Sequence, residues 1–146
     1  MAKKFATRGG QYPITAEFTF DVANDTMKDV SDIEDNFKTV GTHVFDVILL
    51  PNNATVIDGE IVTETAVSGS TAYNVKVGDS SNDARYLATT NVLTAGKRTF
   101  TTTGYVGSGE NLRLTVEPTG AAATAGKITV RVTYVIRNRI NETQTH

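Results

Sequence analysis

The stretch ITVRVTYVI, residues 128–136, places an apolar side chain at every second position: Ile128, Val130, Val132, Tyr134 and Ile136. Successive side chains of a β-strand point to opposite faces of a sheet, whereas an amphipathic helix repeats its apolar positions every three to four residues. The stretch therefore predicts a long strand with one buried face and one solvated face.

The same alternation recurs elsewhere in the chain. Residues 111–117 place Leu112, Leu114 and Val116 on one face, and residues 14–20 alternate in the same way. From Val44 to Arg139, runs of Val, Ile, Thr and Tyr are separated by turns of Gly, Asn, Asp and Pro. About eight such strands predict an all-β fold, an antiparallel β-sandwich of the jelly-roll type. An immunoglobulin-type sandwich is the nearest alternative, but the chain has no Trp and no Cys pair to support it.

The chain length of 146 residues is sufficient for one domain with its own core. We expect a flexible N-terminal arm over residues 1–10, a single sandwich over 11–140 and a flexible tail over 141–146. The absence of cysteine excludes disulfides and thiolate chemistry. No apolar run approaches the roughly 20 residues that span a bilayer, and no secretory signal is recognisable. We therefore expect a soluble protein that is made in a cytoplasm.

Two segments depart from the simple strand pattern. Residues 26–38 carry apolar side chains at spacings of three and four, namely Met27, Val30, Ile33 and Phe37. This spacing predicts one short helix, or an ordered loop, packed across an open end or edge of the sandwich. Gly59 lies inside the predicted strand 55–67, where a glycine often marks a bend or a bulge.

Groups suited to catalysis or metal binding are few. The two histidines, His43 and His146, lie in no recognisable catalytic pattern, so we predict no catalytic residues and no cofactor. Asp79 and Asp83 flank an oxygen-rich loop that invites a calcium interpretation. The spacing does not fit a known calcium loop, and Asp and Asn also bond their own backbone in tight turns. We therefore predict a turn without metal, in which Arg85 pairs with one of the two carboxylates.

The charge distribution is uneven although the net charge is only -2 and the sequence pI is about 5.6. This balance argues against nucleic acid as the main partner, because phosphate binding needs a concentrated basic surface. Both ends of the chain are basic and residues 21–35 are acidic, which indicates either solvated surface or contact with a partner. The residues expected at a partner interface are Lys3, Lys4, Phe5, Arg8, Asp29, Asp32, Asp35, Arg137 and Arg139.

Several short strings also occur in a characteristic order. They are VKVGD at 75–79, DARYL at 83–87, AGK at 95–97, GY at 104–105, and ATAGK at 123–127 leading into VRVTY at 130–134. In this order, over residues 61–136, the chain resembles the jelly-roll capsid decoration, or cement, proteins of tailed bacteriophages.

The resemblance implies a structural virion protein rather than an enzyme. Such a protein binds the exterior of an assembled capsid, often as a homotrimer, and bridges neighbouring major capsid subunits, with no nucleic acid or membrane as partner. A phage tail, head-fibre or adaptor protein is the first alternative. A carbohydrate-binding β-sandwich is the second, for which the loops offer Tyr86 and Tyr105 but no Trp. An enzyme is the weakest.

Overall fold

The computed structural model describes residues 13–137, which form strands and loops but no helix, and therefore no helix that could cross a membrane. The segments expected to be an arm and a tail, residues 1–10 and 141–146, lie outside this range. The strands are β1 (Ile14–Asp21), β2 (Thr26–Lys28), β3 (Glu34–Asn36), β4 (His43–Ile48), β5 (Asn52–Ser68), β6 (Ala72–Gly78), β7 (Leu87–Asn91), β8 (Gly96–Thr99), β9 (Val106–Ser108), β10 (Leu112–Thr119) and β11 (Ala125–Ile136).

Nine of these strands form two antiparallel sheets, of five and four strands. One sheet has the order β1-β11-β5-β8, with the short β9 also paired to β5, and the other has the order β4-β10-β6-β7. The chain crosses repeatedly between the sheets, so that its first and last strands are neighbours in one of them. This arrangement is that of a jelly roll. The predicted all-β jelly roll is therefore confirmed.

The core lies between the two sheets. Leu112, Leu114 and Val116 of β10 are fully buried in one sheet, and Val130 and Val132 of β11 are fully buried in the other. The alternation seen in the sequence thus supplies both walls of a single core. Burying each of these side chains stabilises the fold by roughly 1.5–3 kcal/mol.

The pairing of β5 with β11 has three irregularities, and the one nearest to Gly59 is a bulge at Ile57 and not a bend at Gly59 itself. Asp58 pairs with Thr133 and Val56 with Tyr134, so Ile57 is the extra residue in β5. Gly59 itself keeps its register opposite Val132. The bulge resets the alternation: even-numbered residues point inward before it and odd-numbered residues after it.

Residues 26–38 form an ordered loop with a small hairpin, and the helix alternative is wrong. Strands β2 and β3 pair with each other, with Lys28 opposite Glu34. Of the four apolar residues in the supposed helical face, Phe37 is fully buried while Val30 and Ile33 are exposed. Asp and Asn side chains in this segment bond nearby backbone N–H groups, which favours turns over a helix.

Candidate interaction surface

The tip of the β2–β3 hairpin, residues 29–33, is a tightly bonded turn. Oδ1 of Asp29 accepts hydrogen bonds from the backbone N–H groups of Ser31, at 2.8 Å, and Ile33, at 3.1 Å. The N–H of Asp29 in turn bonds the carbonyl of Ile33 at 2.9 Å. Asp32 adopts the left-handed conformation with φ of 62°, which Asp tolerates better than most residues. The hairpin tip therefore has a defined shape of its own.

The hairpin is fastened to the sandwich by backbone hydrogen bonds. The N–H of Val30 donates to the carbonyl of Val44 in β4 at 3.1 Å. The N–H of Ala123, in the connection from β10 to β11, donates to the carbonyl of Lys38 at 2.9 Å. The loop is thus held on both sides, by β4 and by a neighbouring connection.

Aromatic packing also anchors the same loop to the core of the sandwich. The ring of Phe37 stacks on Phe20 with centroids 4.3 Å apart and lies 4.4 Å from the Phe45 ring. The buried hydroxyl of Tyr73 donates to the carbonyl of Phe37 at 2.8 Å. Aromatic pairs of this kind contribute about 0.5–1.5 kcal/mol beyond their buried area. These contacts give the loop a rigid base.

His43, the first residue of β4, connects that strand to the hairpin through hydrogen bonds of its ring. Its ring is buried, with 8% of the residue exposed, and Nδ1 lies 2.8 Å from Oδ2 of Asp35 in β3. Its Nε2 lies 2.8 Å from the carbonyl of Thr39. Nothing in the sequence around His43 indicates this structural role, because Asp35 and Thr39 become its neighbours only once the hairpin is formed.

The hairpin loop, defined here as residues 22–42, exposes an unusual amount of apolar surface. Val30, Ile33 and Val40 are 43%, 63% and 56% exposed, and they are three of the six exposed large hydrophobic residues in the range 13–137. The loop also carries five carboxylates against two lysines. Exposed apolar side chains on a rigid, acidic loop are suited to bind a partner surface that is apolar and basic.

The predicted interface residues of this loop have different environments. The carboxylate of Asp29 caps the hairpin tip and that of Asp35 bonds His43, so both serve the loop's own structure. The Asp32 side chain is exposed and lies 3.4 Å from Nζ of Lys28. Asp32 is therefore the best placed of the three to meet a partner.

The other predicted interface residues do not join this surface. Arg137 lies at the opposite end of the sandwich, where its N–H bonds the carbonyl of Asn53 at 2.8 Å. β1, with eight residues, runs from that end to the hairpin end, a distance of about 24 Å. Lys3, Lys4, Phe5, Arg8 and Arg139 lie outside the described residues.

The carboxylate of Asp79, in the loop that invites a calcium interpretation, accepts hydrogen bonds from neighbouring groups of the protein. The residue is 3% exposed, and its carboxylate accepts bonds from Nε of Arg85 at 2.6 Å and from Ser81 Oγ at 2.8 Å. Burial alone would raise the pKa of Asp79, but hydrogen bonds from Arg85, Ser81 and two backbone amides outweigh it and lower the pKa. The prediction that Arg85 pairs with one of the two carboxylates is confirmed, and the partner is Asp79.

Asp83 has a different partner, Nζ of Lys76 at 2.9 Å. The two carboxylates thus pair with different cations, Asp79 with Arg85 of the same loop and Asp83 with Lys76 of β6. Within residues 13–137, no group of three or more His, Asp or Glu side chains is placed to hold a metal ion. Turn chemistry accounts for the composition of this loop.

The two loop tyrosines are engaged within the fold. Tyr86 is buried and stacks on Phe100, and burial raises its pKa to about 12. The guanidinium of Arg85 lies 3.5 Å from the ring centroid of Tyr105, a cation–π contact. The Tyr105 hydroxyl donates to Glu110 at 2.6 Å, which raises its pKa. These contacts disfavour the carbohydrate-binding alternative, which needs an exposed aromatic face.

Comparison with solved structures finds chains of similar fold. No protein-family model and no curated protein sequence matches the chain. A chain of the capsid asymmetric unit of cyanophage Pam1 superimposes with a TM-score of 0.63, at 19% identity over 92% of this chain and 94% of that one.

Two further phage capsid structures contain similar chains. For the acidic stable capsid of Helicobacter pylori bacteriophage KHP30 the TM-score is 0.59, at 17% identity over 85% of this chain and 87% of that one. For the capsid of Ralstonia phage GP4 the TM-score is 0.52, at 15% identity over 93% of this chain and 91% of that one. The chain is thus a jelly-roll β-sandwich of a kind present in phage capsids. The resemblance expected from the sequence is confirmed at the level of the fold.

Proposed function

We propose that this chain is a structural, non-catalytic component of a phage virion that binds the outer surface of the assembled capsid. The observation that carries this proposal is the whole-length similarity to a chain of the Pam1 capsid asymmetric unit, which covers 92% of this chain and 94% of that one. Coverage of both chains means that the entire sandwich is shared, not a common substructure.

The proposed mechanism is thermodynamic. A subunit that binds the assembled shell, but not free capsid protein, stabilises the shell by mass action. Copies associated as a homotrimer would bridge neighbouring major capsid subunits, and several weak contacts would then act together with high avidity. The chain needs no cofactor for this role.

The outer face of the β1-β11-β5-β8 sheet supports a position at the virion exterior. Arg131 of β11 donates to Glu17 of β1 at 3.0 Å and to Glu60 of β5 at 2.8 Å. Nζ of Lys97 in β8 lies 3.9 Å from Glu60, so paired charges extend across four strands. A polar face whose charges are paired is suited to contact with water. The surfaces left for contact with the shell are then the hairpin end of the sandwich and the opposite end, where Arg137 lies.

Co-sedimentation tests the proposal. The full-length protein is mixed with undecorated capsids and, separately, with isolated tails from the same phage. We expect it to sediment with capsids at a fixed copy number and to raise the temperature at which they break open. Binding to tails but not to capsids would replace the decoration role with that of a tail or adaptor protein. Binding to neither would refute both roles.

A further inference from the structure

We propose that the hairpin loop of one copy binds the basic N-terminal segment, residues 1–12, of a second copy. The contact deepens the homotrimer part of the proposed function, but it concerns the isolated protein and can be tested without a capsid.

The hairpin loop and the N-terminal segment carry complementary charges. Residues 1–12 contain Lys3, Lys4 and Arg8 and no carboxylate, whereas residues 22–42 contain five carboxylates against two lysines. Asp29 and Asp35 are engaged inside the loop. Asp32 lies in the hairpin tip and Glu34 directly follows it, and both residues are exposed. A basic segment therefore fits this surface better than an acidic or neutral one.

Both the hairpin tip and the N-terminal segment also carry apolar side chains. The hairpin tip presents Val30 and Ile33, each more than two-fifths exposed, on a turn whose shape is fixed by the Asp29 carboxylate. The N-terminal segment places Phe5 among its basic residues. A receptor that is already rigid does not have to be ordered on binding, which reduces the entropic cost of the contact.

The distance between the two ends of the sandwich favours the hairpin of a second copy over the hairpin of the segment's own chain. The segment joins β1 beside Ile14, at the end of the sandwich opposite the hairpin, and the eight-residue β1 spans about 24 Å. Even fully stretched, the eight residues from Pro13 back to Phe5 cover at most about 29 Å. A chain could reach its own hairpin only when almost fully extended, whereas a neighbouring copy has no such restriction.

A contact between opposite ends of two copies is head to tail, and contacts of this kind close into a ring when the rotation between copies allows it. Three copies related in this way would give the proposed trimer, each contributing one hairpin loop and one N-terminal segment.

Sedimentation equilibrium of the full chain tests the contact through a double-mutant cycle. One variant reverses the segment's charge with Lys3→Glu, Lys4→Glu and Arg8→Glu together. The other neutralises the hairpin with Asp32→Asn and Glu34→Gln. We expect the charge reversal to weaken self-association at least tenfold in the natural background and by a clearly smaller factor in the neutralised one, because charges in contact are coupled. Lys97→Glu reverses the charge of a 61% exposed side chain on β8, the edge strand farthest from β1 in its sheet, and is the matched control that should leave association unchanged.

Three results would overturn the proposal. The first is a monomer at all concentrations. The second is an equal loss from charge reversal in both hairpin backgrounds, which would place the segment elsewhere. The third is self-association that neither variant changes. If the protein still co-sediments with capsids in any of these cases, the capsid-binding role stands and the hairpin contact is refuted. A monomer at all concentrations would refute the homotrimer as well.

Discussion

The ring of Phe100 occupies the position that a Cβ atom on Gly59 would need. Phe100 follows β8 and packs across β5, and its backbone N–H donates to the carbonyl of Gly59 at 2.9 Å. The glycine is therefore required for close packing of an aromatic ring on the strand, not for a bend in the strand.

Gly59→Ala is expected to destabilise the protein by roughly 1–3 kcal/mol, because the new methyl group must displace a buried ring. Urea denaturation of both proteins measures this difference in the free energy of unfolding. Gly107→Ala is the matched control: its added Cβ would meet neighbours only at ordinary contact distance, 3.4 Å from Ala54 O and Glu110 Oε2. Equal effects of the two substitutions would contradict the assigned packing.

Replacing His43 should loosen the hairpin. His43→Ala removes the partners of the Asp35 carboxylate and the Thr39 carbonyl, and leaves a cavity beside β4. We expect a loss of about 2–4 kcal/mol in the free energy of unfolding. We also expect faster amide hydrogen exchange in residues 34–42 than in β10. Lys38→Ala, at an exposed position of the same loop, should change stability by less than about 0.5 kcal/mol. Unchanged exchange in the hairpin would show that His43 does not hold it.

Asp79 should make stability depend on acidity. Its pKa is lowered in the folded protein, so its contribution is complete above the unfolded value of about 3.9 and is lost as the pH falls through the folded value. Asp79→Asn should therefore reduce the free energy of unfolding at pH 7, and the difference from the natural protein should shrink between pH 4 and pH 2. The measurement is a series of urea titrations across that range. A difference that stays constant with pH would show that the Asp79 charge is not involved.

A charge placed in the core should abolish folding. Val132 is fully buried between the sheets and lies opposite Gly59 and Ala16. Val132→Asp should cost several kcal/mol, because the carboxylate would have no partner there. Thr15→Asp, on the exposed face of β1, loses only a hydroxyl contact with Thr133 at 3.1 Å and should stay folded. Far-UV circular dichroism and melting temperature distinguish the two outcomes.

The jelly roll was predictable because three of its longer strands have strict alternation in the sequence. β1, β10 and β11 each bury one face, so period-two patterning identifies them and assigns their inward residues. The Asp79–Arg85 pair was also predictable, because both residues belong to one loop and carry opposite charges. Both predictions depend only on residues that are close in the sequence, and the folded protein retains both patterns.

The hairpin was not predictable to the same degree. Met27, Val30, Ile33 and Phe37 imitate helical spacing, although tertiary packing of Phe37 decides the outcome. The better signal was Asp29 with Asn36, since both side chains bond backbone amides two residues ahead and mark turns. The bulge at Ile57 had no sequence signal, because it depends on the register between β5 and β11.

The hydrogen bond from Val30 to Val44 has a consequence for solubility. β4 is an outer strand of its sheet, and the unpaired backbone groups of such a strand can recruit the same strand of another molecule into continuous aggregates. The N–H of Val30 already occupies one of those groups, at 3.1 Å, and the hairpin tip lies against that part of the strand. The loop whose apolar side chains are exposed therefore also shields this edge from indiscriminate strand pairing, even where many copies are crowded together.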